Sequence, residues 1–205
     1  MYRLAVTHLH KRFGERKVLN DINFELATGD SMAIVGANGS GKSTLLLLLL
    51  AALHPTKGTI AYYDGDRMLT DSEVRSSTSL VSPYLNLYDN LSAEENLVFF
   101  STVSGGNITG KEINALLTRV GLEGRGPDAV GSYSSGMKQR LKYAVALLND
   151  PAFLFLDEPT SNLDDAGKQI VFDLVNEYRS KTIILIATNE REEQGLAQKL
   201  CRVSQ

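Results

Sequence analysis

Ser31–Pro55 reads SMAIVGANGSGKSTLLLLLLAALHP. Three signals follow one another inside it. Met32–Val35 is a short apolar run ending on Gly36, as a buried parallel strand does. Gly36–Ser43 (GANGSGKS) satisfies the pattern G-x-x-x-x-G-K-[ST], and Thr44 follows it. Lys42–Leu53 then reads as a helix, stopped by Pro55. Strand, glycine loop and helix in that order make a phosphate cradle. Glycines let the backbone N–H groups of Gly36, Ala37, Asn38, Gly39, Ser40 and Gly41 turn inward around phosphate oxygens. The helix points its positive end at the same oxygens. Lys42 reaches the β- and γ-phosphates as a mobile cation, and Ser43 offers its hydroxyl to Mg²⁺. Such a loop serves many phosphate-handling families, so its neighbours must narrow the reading.

Downstream, Phe153–Asp164 reads FLFLDEPTSNLD. Phe153–Leu156 is a continuous apolar run, the mark of a strand buried on both faces. It delivers Asp157 and Glu158 to its carboxyl end, where ligands bind in open α/β sheets. Asp157 suits Mg²⁺, held through water, and Glu158 suits the orientation and deprotonation of an attacking water. Adjacent strand side chains point to opposite faces. The chain must therefore leave the strand at this point, and Pro159 makes the exit plausible. Ile183–Ala187 is a second apolar run, with helical spacing over Gly167–Arg179 between the two. That is a βαβ unit and implies parallel pairing.

Just before this segment, Tyr133–Arg140 reads YSSGMKQR. Phosphate loop, serine-led tripeptide and acidic strand end, in this order, resemble the ATP-binding cassette (ABC) ATPase family over nearly the whole chain. Tyr133–Met137 occupies the position of the family signature, usually written LSGGQ. The resemblance implies that Ser134 gives a hydroxyl to a γ-phosphate and that Gly136 permits close backbone approach. It implies that the following helix aims its N-terminus at that phosphate, and that the phosphate is held by the opposing subunit of a dimer. Ser135 stands for a glycine and Met137 for the glutamine. An ordinary serine cap on a helix is the plainer alternative. Ser161–Asp164 (SNLD) resembles the family's loop along the dimer seam; a capping turn for the next helix reads equally well. Phe13, in KRFGERKVL, falls where the family sets an aromatic ring against adenine, with Val18 completing an apolar pocket. A core phenylalanine in a hairpin competes with that role.

Two positions break the family pattern. Pro83 stands where a glutamine should end the strand Ser79–Ser82, leaving Asn86 to substitute if the loop bends. Asn189 stands where a histidine should follow Thr188. Asparagine donates one hydrogen bond to a γ-phosphate oxygen but cannot carry charge or shuttle a proton. Its other reading is a cap for a helix over Glu190–Lys199.

The rest of the chain frames these motifs. Its 205 residues suffice for one domain with a sizeable core. Tyr2–Val6 and Asn23–Leu26 alternate as strands around the turn Gly14–Lys17, and Gly58–Tyr63 is a further strand. Capping boxes at Ser92/Glu95 and Thr109/Glu112 open helices, and a third runs from Ser134 or Ser135 to about Asn149. Tyr88–Asp150 is thus a helical insertion in a parallel-sheet protein. The expected fold is α/β: a P-loop NTPase parallel-sheet core, an N-terminal antiparallel β subdomain and an inserted α-helical subdomain, all in one domain over 1–205.

A net charge of −3 speaks against a nucleic-acid partner, and Lys11, Arg12, Arg16 and Lys17 read as the solvated rim of a hairpin. The lone Cys201 makes no internal disulfide and fits a reducing compartment. The longest apolar run, Leu45–Leu53, falls short of the about 20 residues that span a bilayer. His8 and His10 share a strand face, but no third ligand joins them.

The resemblance therefore implies a cytoplasmic Mg²⁺- and ATP-dependent hydrolase, paired as a homodimer. It would sit on the inner face of the cell membrane against separate transmembrane permease subunits. The chain's compactness is similar to ATP-binding subunits of the cytochrome c maturation (heme exporter) type. Two alternatives stand beside the transporter subunit: a soluble ABC ATPase acting on protein partners, and a catalytically weak half of a heterodimeric pair.

Overall fold

The computed structural model describes residues 1–203. β1 (Tyr2–Phe13) and β2 (Arg16–Ala27) form a long hairpin closed by Gly14 and Glu15. β3 (Ser31–Val35) leads through the glycine loop to α1 (Lys42–Leu49). β4 (Lys57–Asp64), β5 (Arg67–Met68), α2 (Asp71–Ser77) and β6 (Thr78–Val81) follow. The inserted segment carries α3 (Ala93–Val103), α4 (Gly110–Arg119) and α5 (Ser135–Ala146). The chain returns through β7 (Phe153–Asp157), α6 (Asp165–Tyr178), β8 (Ile183–Thr188), α7 (Arg191–Gln194) and β9 (Lys199–Arg202).

The strands form two sheets. One is antiparallel, in the order β2-β1-β4-β5; the other has five strands in the order β6-β7-β8-β3-β9. Every pair in the second sheet is parallel. β7 and β8 are buried at every residue, which explains their unbroken apolar runs. Their alternate side chains feed two different cores. Leu154, Leu156, Ile184 and Ile186 pack under α3–α6. Phe153, Phe155, Ile183 and Leu185 pack against α1 and the antiparallel sheet. On α1, Leu45, Leu46, Leu48 and Leu49 are buried, and each contributes about 1.5–3 kcal/mol of apolar transfer. Among the described residues no helix is long and apolar enough to cross a membrane.

Several boundaries differ from the sequence reading, each for a physical reason. The first hairpin strands run twelve residues each, because bulges absorb the irregular register between Val6 and Leu9. His8 sits there at φ +47. α1 ends at Leu49 rather than Leu53; Ala51 turns left-handed, and the N–H groups of Ala52 and Leu53 both donate to the Leu47 carbonyl. α2 adds a helix that the sequence reading lacks, and Thr70 and Glu73 open it with a complete capping box. The largest correction concerns the C-terminal segment. In place of one helix over Glu190–Lys199 there is a four-residue helix and then β9, which pairs with the open edge of β3. Local pattern could not reveal that edge, because its partner lies over 160 residues away in sequence.

Candidate functional site

The order of the parallel sheet places β7, β8 and β3 side by side. Their carboxyl ends therefore bring Asp157 and Glu158, Asn189 and the glycine loop to one rim. Gly41 is the N-cap of α1 at φ +108, and a Cβ there would lie 2.7 Å from Val18 Cγ1. Only glycine meets both demands. Val18 thus packs beneath the loop and also lines the cleft above it.

That cleft has a volume of about 580 Å³ and runs along one side of the loop. Phe13, Val18, Lys42, Ser43, Thr44 and Glu158 all line it. Phe13 is 50% exposed, so it is not a core residue; Lys11 Nζ lies 4.8 Å from its ring centroid. Arg16 also borders the cleft and donates to the Gly39 carbonyl at 3.4 Å. Its place in the hairpin's basic cluster hid this. Tyr84, 80% exposed, borders the cleft, whereas Asn86, the expected substitute for the missing glutamine, does not line it. Gly36, Ala37 and Ser40 face a second hollow, of about 570 Å³, beside Gln194 and Arg202.

Lys42 is buried, and its ammonium is fully engaged. It donates to the carbonyls of Gly36 at 2.8 Å and Ala37 at 3.4 Å, and to Asn189 Oδ1 at 3.1 Å. Asn189 Nδ2 in turn donates to Asn38 Oδ1 at 2.6 Å. Asn189 does not cap α7; Glu190 holds that position, without a side-chain cap bond. Asn189 and Glu158 share a further hollow of about 410 Å³ with Asn38, Thr160, Ser161 and Glu193.

Glu158 leaves β7 in the left-handed region, at φ +49. Its N–H donates to the Ala187 carbonyl at 2.9 Å. This turn swings Glu158 onto the cleft, while Asp157 stays buried at the strand end. Burial pushes the Asp157 carboxyl up from its ordinary value, and the neighbouring Glu158 charge adds to that. A hydrogen bond with Ser43 and the Lys42 charge work the other way. Ser43 and Asp157 form an oxygen-only donor pair, which suits a hard cation such as Mg²⁺. His8 and His10 bond instead to Asp21 at 2.7 Å and Asn20 at 3.1 Å. Among the described residues, no three His, Cys, Asp or Glu side chains gather as a metal site. Cys201 lies half-buried on β9, and burial raises its thiol pKa.

The tripeptide segment behaves differently. Ser134 is the N-cap of α5, its oxygen accepting from the Met137 N–H at 3.2 Å. A Cβ on Gly136 would come within 3.1 Å of the Asn162 carbonyl, so this helix start packs closely on the Ser161–Asp164 loop. In the same way, Asp164 caps α6 through the Gly167 N–H at 2.8 Å. Ser134, Ser135, Gly136 and Met137 line neither hollow that holds Glu158. Both serines are exposed, and Gly136 and Met137 are half-buried. α5 also holds the loop after β6, as Lys142 Nζ donates to the carbonyls of Ser82 at 3.0 Å and Pro83 at 3.1 Å.

Residues 19–161 match the family described as ABC transporter. The chain belongs to the ABC transporter ATPase family. It is 32% identical over 202 residues to Nod factor export ATP-binding protein I of Burkholderia orbicola (strain AU 1054), which covers 97% of this chain and 66% of that protein. The chain thus spans about two thirds of that relative's length. It is 34% identical over 186 residues to the lantibiotic transport ATP-binding protein SrtF of Streptococcus pyogenes, covering 91% of this chain and 79% of that one. A solved ATP binding subunit of an ABC transporter superposes with a TM-score of 0.85 at 26% identity, over 98% of this ABC chain and 85% of the other. The P-loop α/β fold, with its antiparallel β part and helical insertion, is that of the family.

Proposed function

We propose that this chain binds Mg²⁺-ATP and hydrolyses it as the ATP-binding subunit of a transporter whose membrane-crossing parts are separate chains. The observation that carries the reading is the convergence of Lys42, Ser43, Asp157, Glu158 and Asn189 on one rim, beside a cleft that Phe13 and Val18 also line. The adenine would rest on Phe13 and Val18, and the phosphates would run along the loop toward Glu158. Glu158 accepts the proton of a water whose oxygen attacks the γ-phosphorus. The bond from that phosphorus to the β–γ bridging oxygen breaks, and ADP departs. Mg²⁺ held by Ser43 and Asp157 would supply charge neutralisation at the β- and γ-phosphate oxygens. Lys42 moves from its loop carbonyls to the phosphates, and Asn189 Nδ2 donates to a γ-phosphate oxygen.

The tripeptide supports an assembly. Its residues lie outside their own cleft, with both serines exposed, at the positive end of a twelve-residue helix. A second copy would present that end to the phosphate, and two clefts would close on two ATP molecules. The relatives' roles in Nod factor export and lantibiotic transport support permease partners at a membrane. The test is ATP turnover by the purified chain, with sedimentation of Glu158→Gln at saturating Mg²⁺-ATP. Phosphate release by the wild type and a dimer of the variant are expected. Monomers alone at saturating nucleotide would refute the paired site, and co-purification with only soluble proteins from detergent-solubilised membranes would refute the permease.

A further inference from the structure

Pro159 and Thr160 share one peptide plane, and both of its polar ends are held. The Pro159 carbonyl accepts from Gln139 Nε2 at 3.2 Å and from the Tyr143 hydroxyl at 3.0 Å, both on α5. On the other side, the Thr160 N–H donates to Glu193 Oε1 at 2.9 Å, and the Thr160 hydroxyl donates to the same oxygen. Gln139, Tyr143, Thr160 and Glu193 are all buried. Glu193 Oε2 is buried without a hydrogen-bond partner. Withdrawing a carboxyl group from water is costly, so its position calls for an explanation.

The held plane lies directly after Glu158. A non-glycine residue at φ +49 persists only where its surroundings over-determine it. Here Ala187 anchors the Glu158 N–H, and the Ser161 N–H donates to the Glu158 carbonyl at 3.1 Å. The Pro159–Thr160 plane closes the turn between them. Glu193 belongs to α7, which starts two residues after Asn189; Gln194 Nε2 donates back to the Asn189 carbonyl at 3.3 Å. One side chain therefore joins the strand end bearing Asn189 to the turn that aims Glu158.

We propose that Glu193 is a positioning residue for hydrolysis. Acting through Thr160, it locks the Pro159–Thr160 peptide against α5 and fixes the left-handed exit that turns Glu158 onto the cleft. The inference rests on the hydrolytic reading above. Its test compares wild type, Glu193→Ala, Glu193→Gln and Thr160→Val by steady-state ATPase and by equilibrium binding of trinitrophenyl-ATP. Glu193→Ala is expected to lower kcat about 10²-fold, since small misplacement of a reacting group carries that penalty. KM and trinitrophenyl-ATP affinity are expected to stay within about threefold, because the phosphate loop is untouched. Glu193→Gln keeps an acceptor oxygen for Thr160 and is expected to restore most of kcat. Thr160→Val keeps the N–H bond, loses the hydroxyl bond and is expected to fall between the two. A kcat within about twofold of wild type in Glu193→Ala, or a loss shared equally with nucleotide affinity, would overturn the positioning role. If Glu193→Ala does not fold, a folded Thr160→Val with unchanged kcat overturns it instead. A wild type that binds trinitrophenyl-ATP but never turns ATP over would overturn the hydrolytic reading itself, and the role of Glu193 with it.

Discussion

Removing the Asn189 carboxamide separates what that side chain does for the fold from what it does for the reaction. In Asn189→Ala two hydrogen bonds disappear, the 3.1 Å bond from Lys42 and the 2.6 Å bond to Asn38. Lys42 keeps the Gly36 and Ala37 carbonyls, so its charge is not stranded. Asn189 is exposed, and water can replace what Asn38 loses. The net cost to stability is about 1 kcal/mol, which is about 2–4 °C in Tm for a chain of this size. At the transition state the loss is of another order. A single donor aimed at developing phosphoryl charge contributes about 3–4 kcal/mol, or about 10²–10³ in kcat. Differential scanning fluorimetry and a phosphate-release assay on the same preparation read both quantities. A kcat that falls less than about fivefold, with the Tm shift as stated, would refute the γ-phosphate contact and leave Asn189 a loop anchor. Asn189→His offers the converse. A cationic donor should exceed wild-type turnover, and a variant no faster than wild type would remove the account of Asn189 as a weakened switch.

Three further outcomes follow from the geometry. Tyr143→Phe and Gln139→Leu each remove one of two donors to the Pro159 carbonyl and should each cost about 1 kcal/mol. The double variant orphans that carbonyl and should cost about 1–3 kcal/mol beyond the sum, so additivity in urea unfolding within about 0.5 kcal/mol would contradict the shared acceptor. Asp157 has a folded-state pKa raised chiefly by burial, so the folded chain holds that proton more tightly than the unfolded one, and ionisation costs stability at neutral pH. Asp157→Asn should raise Tm at neutral pH in metal-free buffer, with the gain shrinking as pH falls through the folded pKa, and should abolish Mg²⁺-stimulated turnover; a lower Tm at neutral pH would contradict this. Gly41→Ala forces φ +108 on an alanine and drives its Cβ to within 2.7 Å of Val18 Cγ1; it should cost about 2–5 kcal/mol by chemical denaturation, and Val18→Ala in the same chain should recover only the steric share.

Much of this molecule was legible residue by residue. The run Met32–Val35, the glycine loop after it and the apolar Phe153–Leu156 and Ile183–Ala187 announce a parallel α/β sheet, because strands buried on both faces cannot alternate. Pro159 after Asp157 and Glu158 announced an exit from the strand, and the left-handed Glu158 is its form. Capping boxes at Ser92 and Thr109 fixed two helix starts, since those bonds lie within three residues of each other. Sequence alone leaves Phe13 divided between core and cleft and Asn189 between a cap and a site residue. In the fold Phe13 is half exposed and borders the cleft, and Asn189 bonds Lys42 and lines the neighbouring hollow instead of capping α7.

What tertiary structure alone decided is every relation between distant segments. β9 exists because β3 has a free edge, and no local period in Lys199–Arg202 says so. Arg16 and Tyr84 reach the cleft because a hairpin and a loop happen to fold beside it. Glu193 reads as one more charge in a polar helix, yet it is buried against Thr160. The helix start at Ser134 packs on the Ser161–Asp164 loop because α5 is anchored on the Pro159 carbonyl. Backbone patterns are set by neighbours a few residues apart and survive in sequence. Contacts across more than thirty residues depend on where whole elements pack, and only the folded chain specifies that.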